Sequence, residues 1–203
     1  MPLTPTTDLA AARWIEDVAA RDADWWRTIS LGPPGYDACV RVLHPLVDGE
    51  AEDDDEDLLQ HEGDLEPPVL LALCDVLEAH TGTPGTCWFC LWDGFGDVVG
   101  GSAVAVVSST GASPEVEPAF SRDVLAGPRV RLPGRTYLLF GGPLREAGDW
   151  GAHPYPGGEP RTISSPNLFW PDDRAWCVAT EIDHPWTAVV GSHALAEALR
   201  VDP

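Results

Sequence analysis

The stretch Trp176-Cys177-Val178-Ala179-Thr180-Glu181-Ile182-Asp183-His184-Pro185-Trp186-Thr187-Ala188-Val189-Val190 decides the fold. Side chains alternate with a period of two along an extended chain, so Trp176, Val178, Thr180 and Ile182 share one face and Cys177, Ala179 and Glu181 the other. Asp183-His184-Pro185 is turn-forming, and the β-branched and aromatic run from Trp186 to Val190 suits a strand that returns beside the first. A hairpin is predicted here. Ser192 can then cap a terminal helix reaching Arg200, with Leu195 and Leu199 one turn apart.

Working back along the chain, Arg129 to Leu132 and Arg135 to Phe140 flank Pro133-Gly134 as a second hairpin. Cys87 to Trp92 is a short, wholly apolar strand. Asp93-Gly94-Phe95-Gly96-Asp97 turns the chain, and Val98 to Val107 is expected to return beside that strand. A further strand is expected from Tyr36 to Val47, ending near Pro45. Residues 7 to 29 read as one amphipathic helix capped by Asp8, with Leu9, Ile15, Ala19, Trp26 and Ile29 near one face, stopped by Gly32-Pro33-Pro34-Gly35. A second helix starts at Pro67-Pro68, carries Val69, Leu73, Val76 and Leu77 as its stripe, and ends by Gly82. Strands arranged as hairpins with about three helices predict an α+β fold on an antiparallel sheet, expected as a single domain over 1–203. Ser108 to Pro118 and Gly141 to Pro166 read as long Gly/Pro-rich loops, and loops of such length are uncommon unless functional or mobile.

The 203 residues include 33 acidic and 12 basic ones, a formal charge of −21, and all 12 basic residues are arginine. Without lysine, a P-loop phosphate site, a pyridoxal or aldolase Schiff base and a kinase strand lysine are excluded. The negative charge opposes nucleic acid, whose binding rests on cationic side chains. A basic protein is the partner that such a chain suits. Five cysteines form an odd set without scaffold spacing, which points to reduced thiols in the cytoplasm. The longest strongly apolar run, Val69 to Cys74, is far shorter than the ~20 residues of a membrane span, and no export signal is read at the start.

Charge is unevenly placed. Asp48 to Glu66 holds 11 acidic residues and is expected to form a mobile acidic loop. No basic residue separates Arg41 from Arg122, whereas 17 acidic ones do. Arg122, Arg129, Arg131 and Arg135 gather around the second hairpin, so a dipolar molecule is expected.

Candidate chemistry is sparse. Cys87 and Cys90, with His80 upstream, resemble half a zinc set, but residues three apart on a strand face opposite ways, which favours buried thiols. The deaminase order of His-x-Glu followed by Pro-Cys-x-x-Cys is not met, and the acidic run lacks the glycine of a calcium loop. No nucleophile elbow occurs, and Gly94, Gly96 and Gly100 do not fit the dinucleotide fingerprint. No catalytic residue, cofactor or metal is therefore expected. Glu181 and Asp183 share a strand face, the arrangement of an acid/base pair in a cleft. The alternative has Asp183 opening the turn while Glu181 pairs with an arginine such as Arg174. Nine tryptophans are available for core or cleft; Trp176 is in core phase, while Trp92 and Trp170, with Arg174 near, are the better candidates to wall a pocket.

Two segments, Cys87-Trp88-Phe89-Cys90-Leu91-Trp92-Asp93-Gly94-Phe95-Gly96 and Ser165 to Asp183, carry a family likeness. Together with His80-Thr81, Tyr137 to Pro143 and Thr187 to Ser192, they make the chain resemble a group of uncharacterised actinobacterial proteins. That resemblance implies no activity. The strand running into Gly191-Ser192 and a short terminal helix is similar to the ending of immunity proteins of the Smi1/Knr4 type. The expected function is a soluble cytoplasmic binding protein, an acidic immunity-type or regulatory partner of a basic protein. The alternative is a small-molecule-binding protein or enzyme with a Trp-lined cleft near Trp92, Trp170, Arg174, Glu181 and Asp183.

Overall fold

Eight antiparallel strands form one sheet in the computed structural model, which describes residues 1–24, 26–45, 62–100, 117–155 and 157–201. In chain order the strands are β1 (Thr4–Pro5), β2 (Ala38–Leu43), β3 (Cys87–Trp92), β4 (Val130–Leu132), β5 (Arg135–Gly142), β6 (Leu168–Pro171), β7 (Cys177–Thr180) and β8 (Trp186–Gly191). They lie side by side as β1-β5-β3-β6-β7-β8-β2, with β4 paired to β5. Among the described residues the helices are α1 (Arg13–Arg21), α2 (Trp26–Leu31), α3 (Pro67–Glu78), α4 (Gly96–Val99), α5 (Arg122–Ala126) and α6 (His193–Val201). The fold is α+β, and α1, α3 and α6 are its three longer helices. None of the described helices is long and apolar enough to cross a membrane.

Both faces of the sheet are covered. Cys87, Phe89, Leu91, Phe140, Phe169, Val178 and Val189 enter a core closed by Leu70, Leu73 and Leu77 of α3 and Leu195 of α6. Cys90, Leu139, Leu168, Trp170, Cys177, Ala179 and Val190 enter the opposite core, closed by Ile15 and Ala19 of α1 and Ile29 of α2. Two-sided burial explains why β3, β6 and β7 read as unbroken apolar runs, since neither face is left for water. Each buried Leu or Phe contributes roughly 1.5–3 kcal/mol.

The two predicted hairpins are present. Val178 pairs with Val189 and Thr180 with Thr187 across β7 and β8. Between β4 and β5, Pro133 occupies the first turn position and Gly134 the second, where its φ of 75° meets the positive value that a type II turn needs. Ser192 caps α6, its hydroxyl accepting from Leu195 N at 3.2 Å. Trp176 joins sheet to helix: it is fully buried, lies edge-on to Phe169 at 5.7 Å, and donates Nε1 to Leu77 O near the end of α3, a carbonyl that also accepts from His80 N.

Three expectations need correction. The single helix over 7–29 is a short 3₁₀ turn, α1 and α2; Asp22 is extended and its Oδ1 accepts from Asp24 N, a side-chain turn that outcompetes the helix. The expected strand from Val98 begins instead as α4, whose residues lie within Gly96–Val99, and residues 101–116 lie outside the described residues. β2 spans Ala38–Leu43 of the expected Tyr36 to Val47, of which positions 46 and 47 lie outside the described residues. The acidic stretch from Asp48 falls outside the described residues up to position 61; beyond it, Leu65 is buried in the core.

Candidate functional site

The β3 end that carries Trp92 gathers the ionic side chains. Trp92 pairs with Tyr137 of β5, and Asp93 N donates to Thr136 O. Asn167 ties this end to β7: its Oδ1 accepts from Trp92 N at 2.8 Å, and its Nδ2 donates to Thr180 O. Glu181, the next residue along, is thereby brought beside the start of β5.

There Arg135 donates Nε to Glu181 Oε1 at 3.1 Å and Nη2 to both Glu181 Oε1 and Asp183 Oδ2. Its guanidinium lies 5.5 Å from the Trp92 ring centroid, and Trp92 meets Phe95 edge-on at 5.0 Å. A second set adjoins it. Asp93 accepts from Arg129 Nε at 2.9 Å and from Thr136 Oγ1 at 2.7 Å, while the other Arg129 nitrogens donate to Gly127 O and Leu125 O at the end of α5. Burial, reinforced by the nearby Glu181 carboxylate, pushes the Tyr137 phenol well above its ordinary range, so it stays neutral within this ionic setting.

Glu181 and Asp183 do come together, but in the turn after β7, which ends at Thr180, and not on one strand face. Both carboxylates are held by the same arginine, Glu181 through Oε1 and Asp183 through Oδ2. The partner is Arg135, not Arg174. Arg174 precedes β7 and Glu181 follows it, which puts them at opposite strand ends.

Trp170 and Arg174 belong to that other end. Trp170 is buried in the core on the α1 side, edge-on to Trp14 at 5.7 Å, and the Arg174 guanidinium lies 5.1 Å from the Trp14 ring centroid. Arg174 has a φ of 54°, and its carbonyl accepts from Tyr36 Oη. The residues between them serve the α3–β3 connection. Asp172 Oδ1 accepts from Trp88 Nε1, and Asp173 accepts from Thr81 Oγ1 at 2.8 Å and Gly82 N at 2.7 Å. Partial burial raises the Asp173 carboxyl, but hydrogen bonds with Ala175, Thr81, Gly82 and Thr83 outweigh it and hold the group below its ordinary value. The five residues expected to wall one cleft are therefore divided: Trp92, Glu181 and Asp183 meet at one end of the sheet, Trp170 and Arg174 at the other.

Cys87 and Cys90 enter opposite cores, the arrangement that their spacing on a strand predicts. Burial pushes Cys74 and Cys87 up to about 12 and Cys90 and Cys177 well above the thiol range, so these four are protonated packing groups. His184 is half-buried and stacks on Trp186 at 4.2 Å, with Arg41 over the same ring.

Sequence reasoning places Arg135 in the arginine cluster of the hairpin but not beside Glu181, and it assigns no site role to Asn167 or Trp14. Arg135 opens a strand directly after Pro133-Gly134, but only the order β5-β3-β6-β7 brings it to Glu181. Comparison with protein-family models, with curated proteins and with solved structures finds no match to this chain.

The electrostatic consequence is local but clear. Two of the hairpin arginines stand among carboxylates: Arg129 meets Asp93, and Arg135 meets Glu181 and Asp183, while the Arg131 backbone N–H donates to Glu16. Two of the four arginines of the expected positive pole are thus matched by acidic side chains.

Proposed function

We propose that the protein acts by binding, as an acidic cytoplasmic partner of a basic protein, of the immunity or regulatory kind. The observation that carries this reading is the net charge of −21, with Arg129 and Arg135 of the hairpin already paired to carboxylates. A field of one sign steers an oppositely charged partner and raises its association rate. The immunity kind is proposed from the sequence resemblance of the strand, Gly191-Ser192 and terminal-helix ending to Smi1/Knr4-type proteins.

The alternative of a Trp-lined small-molecule cleft needed Arg174 beside Glu181 and Asp183, and it loses support from their separation by the length of β7. The binding reading is tested by titrating immobilised protein with cytochrome c, lysozyme and ribonuclease A at about 20 mM salt, where screening is weak. Saturable association supports it; association with none of these opposes it.

A further inference from the structure

The outward face of α3 is apolar where it begins and acidic where it ends. From Pro67 to Ala72 the helix has no polar residue. Leu70, Leu73, Cys74 and Leu77 enter the core, whereas Pro68, Leu71 and Ala72 are exposed, Leu71 to 52%. Asp75 and Glu78 continue the same stripe at steps of three or four residues and are exposed as well. A single exposed leucine is ordinary, but an apolar stripe bordered by charge matches the make-up of an interface, with an apolar centre and a polar rim.

The carboxylates stand against the helix that carries them. Glu78 is the last residue of α3, where the macrodipole is negative and a cation is favoured, and the last turn has no basic residue. Several carboxylates elsewhere are matched from within the chain: Asp93 by Arg129, Glu181 and Asp183 by Arg135, Glu146 by Arg145 and Glu197 by Arg200. Arg145 and Arg200 belong to the elements beside α3, the 3₁₀ turn Leu144–Glu146 and α6, and each is engaged by a glutamate of its own element. Asp75 and Glu78 form no ion pair among the described residues.

We propose that the outer face of α3 is the surface on which the basic partner docks, with an apolar side chain of that partner against Pro68, Leu71 and Ala72 and its flanking lysines or arginines against Asp75 and Glu78. The inference rests on the binding reading above and adds the place and the chemistry: the partner is amphipathic as well as basic. A second copy suits the face poorly, because carboxylates would meet carboxylates between chains that each carry −21. Apolar contact supplies the part of the affinity that salt leaves in place, and the carboxylates supply the part that salt screens.

The probes are melittin, a basic peptide with an apolar face, and oligolysine of matched charge, titrated calorimetrically into the full chain at about 20 mM salt. Wild type should bind melittin more tightly than oligolysine, with ¹H–¹⁵N NMR shifts centred on α3. Leu71→Ser, which leaves the core intact, should weaken melittin binding about tenfold and oligolysine binding hardly at all. Asp75→Asn with Glu78→Gln should weaken both about threefold or more, while Asp17→Asn with Asp24→Asn, the same charge change at exposed positions on the α1 and α2 side, should weaken them much less. Absent melittin binding, equal affinity for the two peptides, undiminished binding in the α3 variants, or equal losses from the two charge changes overturns the docking surface. If cytochrome c, lysozyme or ribonuclease A still associates with wild type, the binding reading survives that failure; if none of them does, both fall. A wild-type dimer that Leu71→Ser converts to a monomer in sedimentation assigns the face to a second copy and likewise overturns the proposal.

Discussion

Arg135 and Glu181 bind through a single carboxylate oxygen: Nε and Nη2 of the guanidinium both donate to Oε1, and only 6% of the Glu181 side chain is exposed. The pair fastens the β4–β5 hairpin to the turn between β7 and β8, two regions that the sheet separates by two strands.

Removing the cation should therefore be far worse than removing the outer anion. Arg135→Met leaves Glu181 buried and unmatched and is expected to destabilise the fold by roughly 2–4 kcal/mol. Asp183 is 74% exposed, so Asp183→Asn should stay within about 0.5 kcal/mol of wild type. Urea unfolding of both variants measures the difference, and equal effects would contradict the enclosed-pair account.

Gly94 is required by the Trp92 indole, since a Cβ at that position would fall against the ring itself. Trp92 is confined between Phe95 and Arg135 and has little room to move. Gly94→Ala should cost about 1–3 kcal/mol and alter the near-ultraviolet circular dichroism. Gly85→Ala, where nothing lies within 4 Å, should leave stability within about 0.5 kcal/mol.

Thiol reactivity separates the cysteines. Cys39 is exposed, whereas Cys74, Cys87, Cys90 and Cys177 are buried. Ellman's reagent at about pH 8 should modify one thiol per native chain and five after unfolding in urea. Rapid native modification of more than one would show that the strand packing is wrong.

Asp173 gives a pH signature. Its carboxyl is held below the ordinary value in the folded state, so its contribution is present above the unfolded value of about 3.9 and is lost as pH falls through the folded value. The stability gap between wild type and Asp173→Ala should be constant from about pH 5 to 7 and close as the pH drops below about 4. Unfolding curves across that range test the sign; a gap that widens on acidification would reverse it.

Much of the fold is legible wherever local pattern and turn chemistry agree. Pro133-Gly134 and Asp183-His184-Pro185 stand between alternating or β-rich runs, Pro67-Pro68 marks the start of α3, and Ser192 caps α6. Legibility fails where a short-range or long-range contact decides. Asp22 ends α1 through its own side chain, against an apolar periodicity that runs on to Ile29. β6 has four residues, all buried, and no alternation to reveal it, and β1 has only two.

The candidate site shows the same limit. The strand-face reading of Glu181 and Asp183 does not hold, because β7 ends at Thr180; the turn that follows brings both carboxylates to one arginine. Their partner could not be read, because Arg135 is 46 residues from Glu181 and reaches it only through the strand order. Trp170 and Arg174, adjacent to a predicted strand in sequence, lie at its other end.

The central claim is that excess negative charge steers a basic partner, and the association rate constant as a function of ionic strength tests it most directly. With cytochrome c as the probe, stopped-flow or surface-based kinetics should show kon falling about tenfold or more between about 20 and 200 mM salt, with koff changing much less. A kon that is flat or rises over that range would contradict the account.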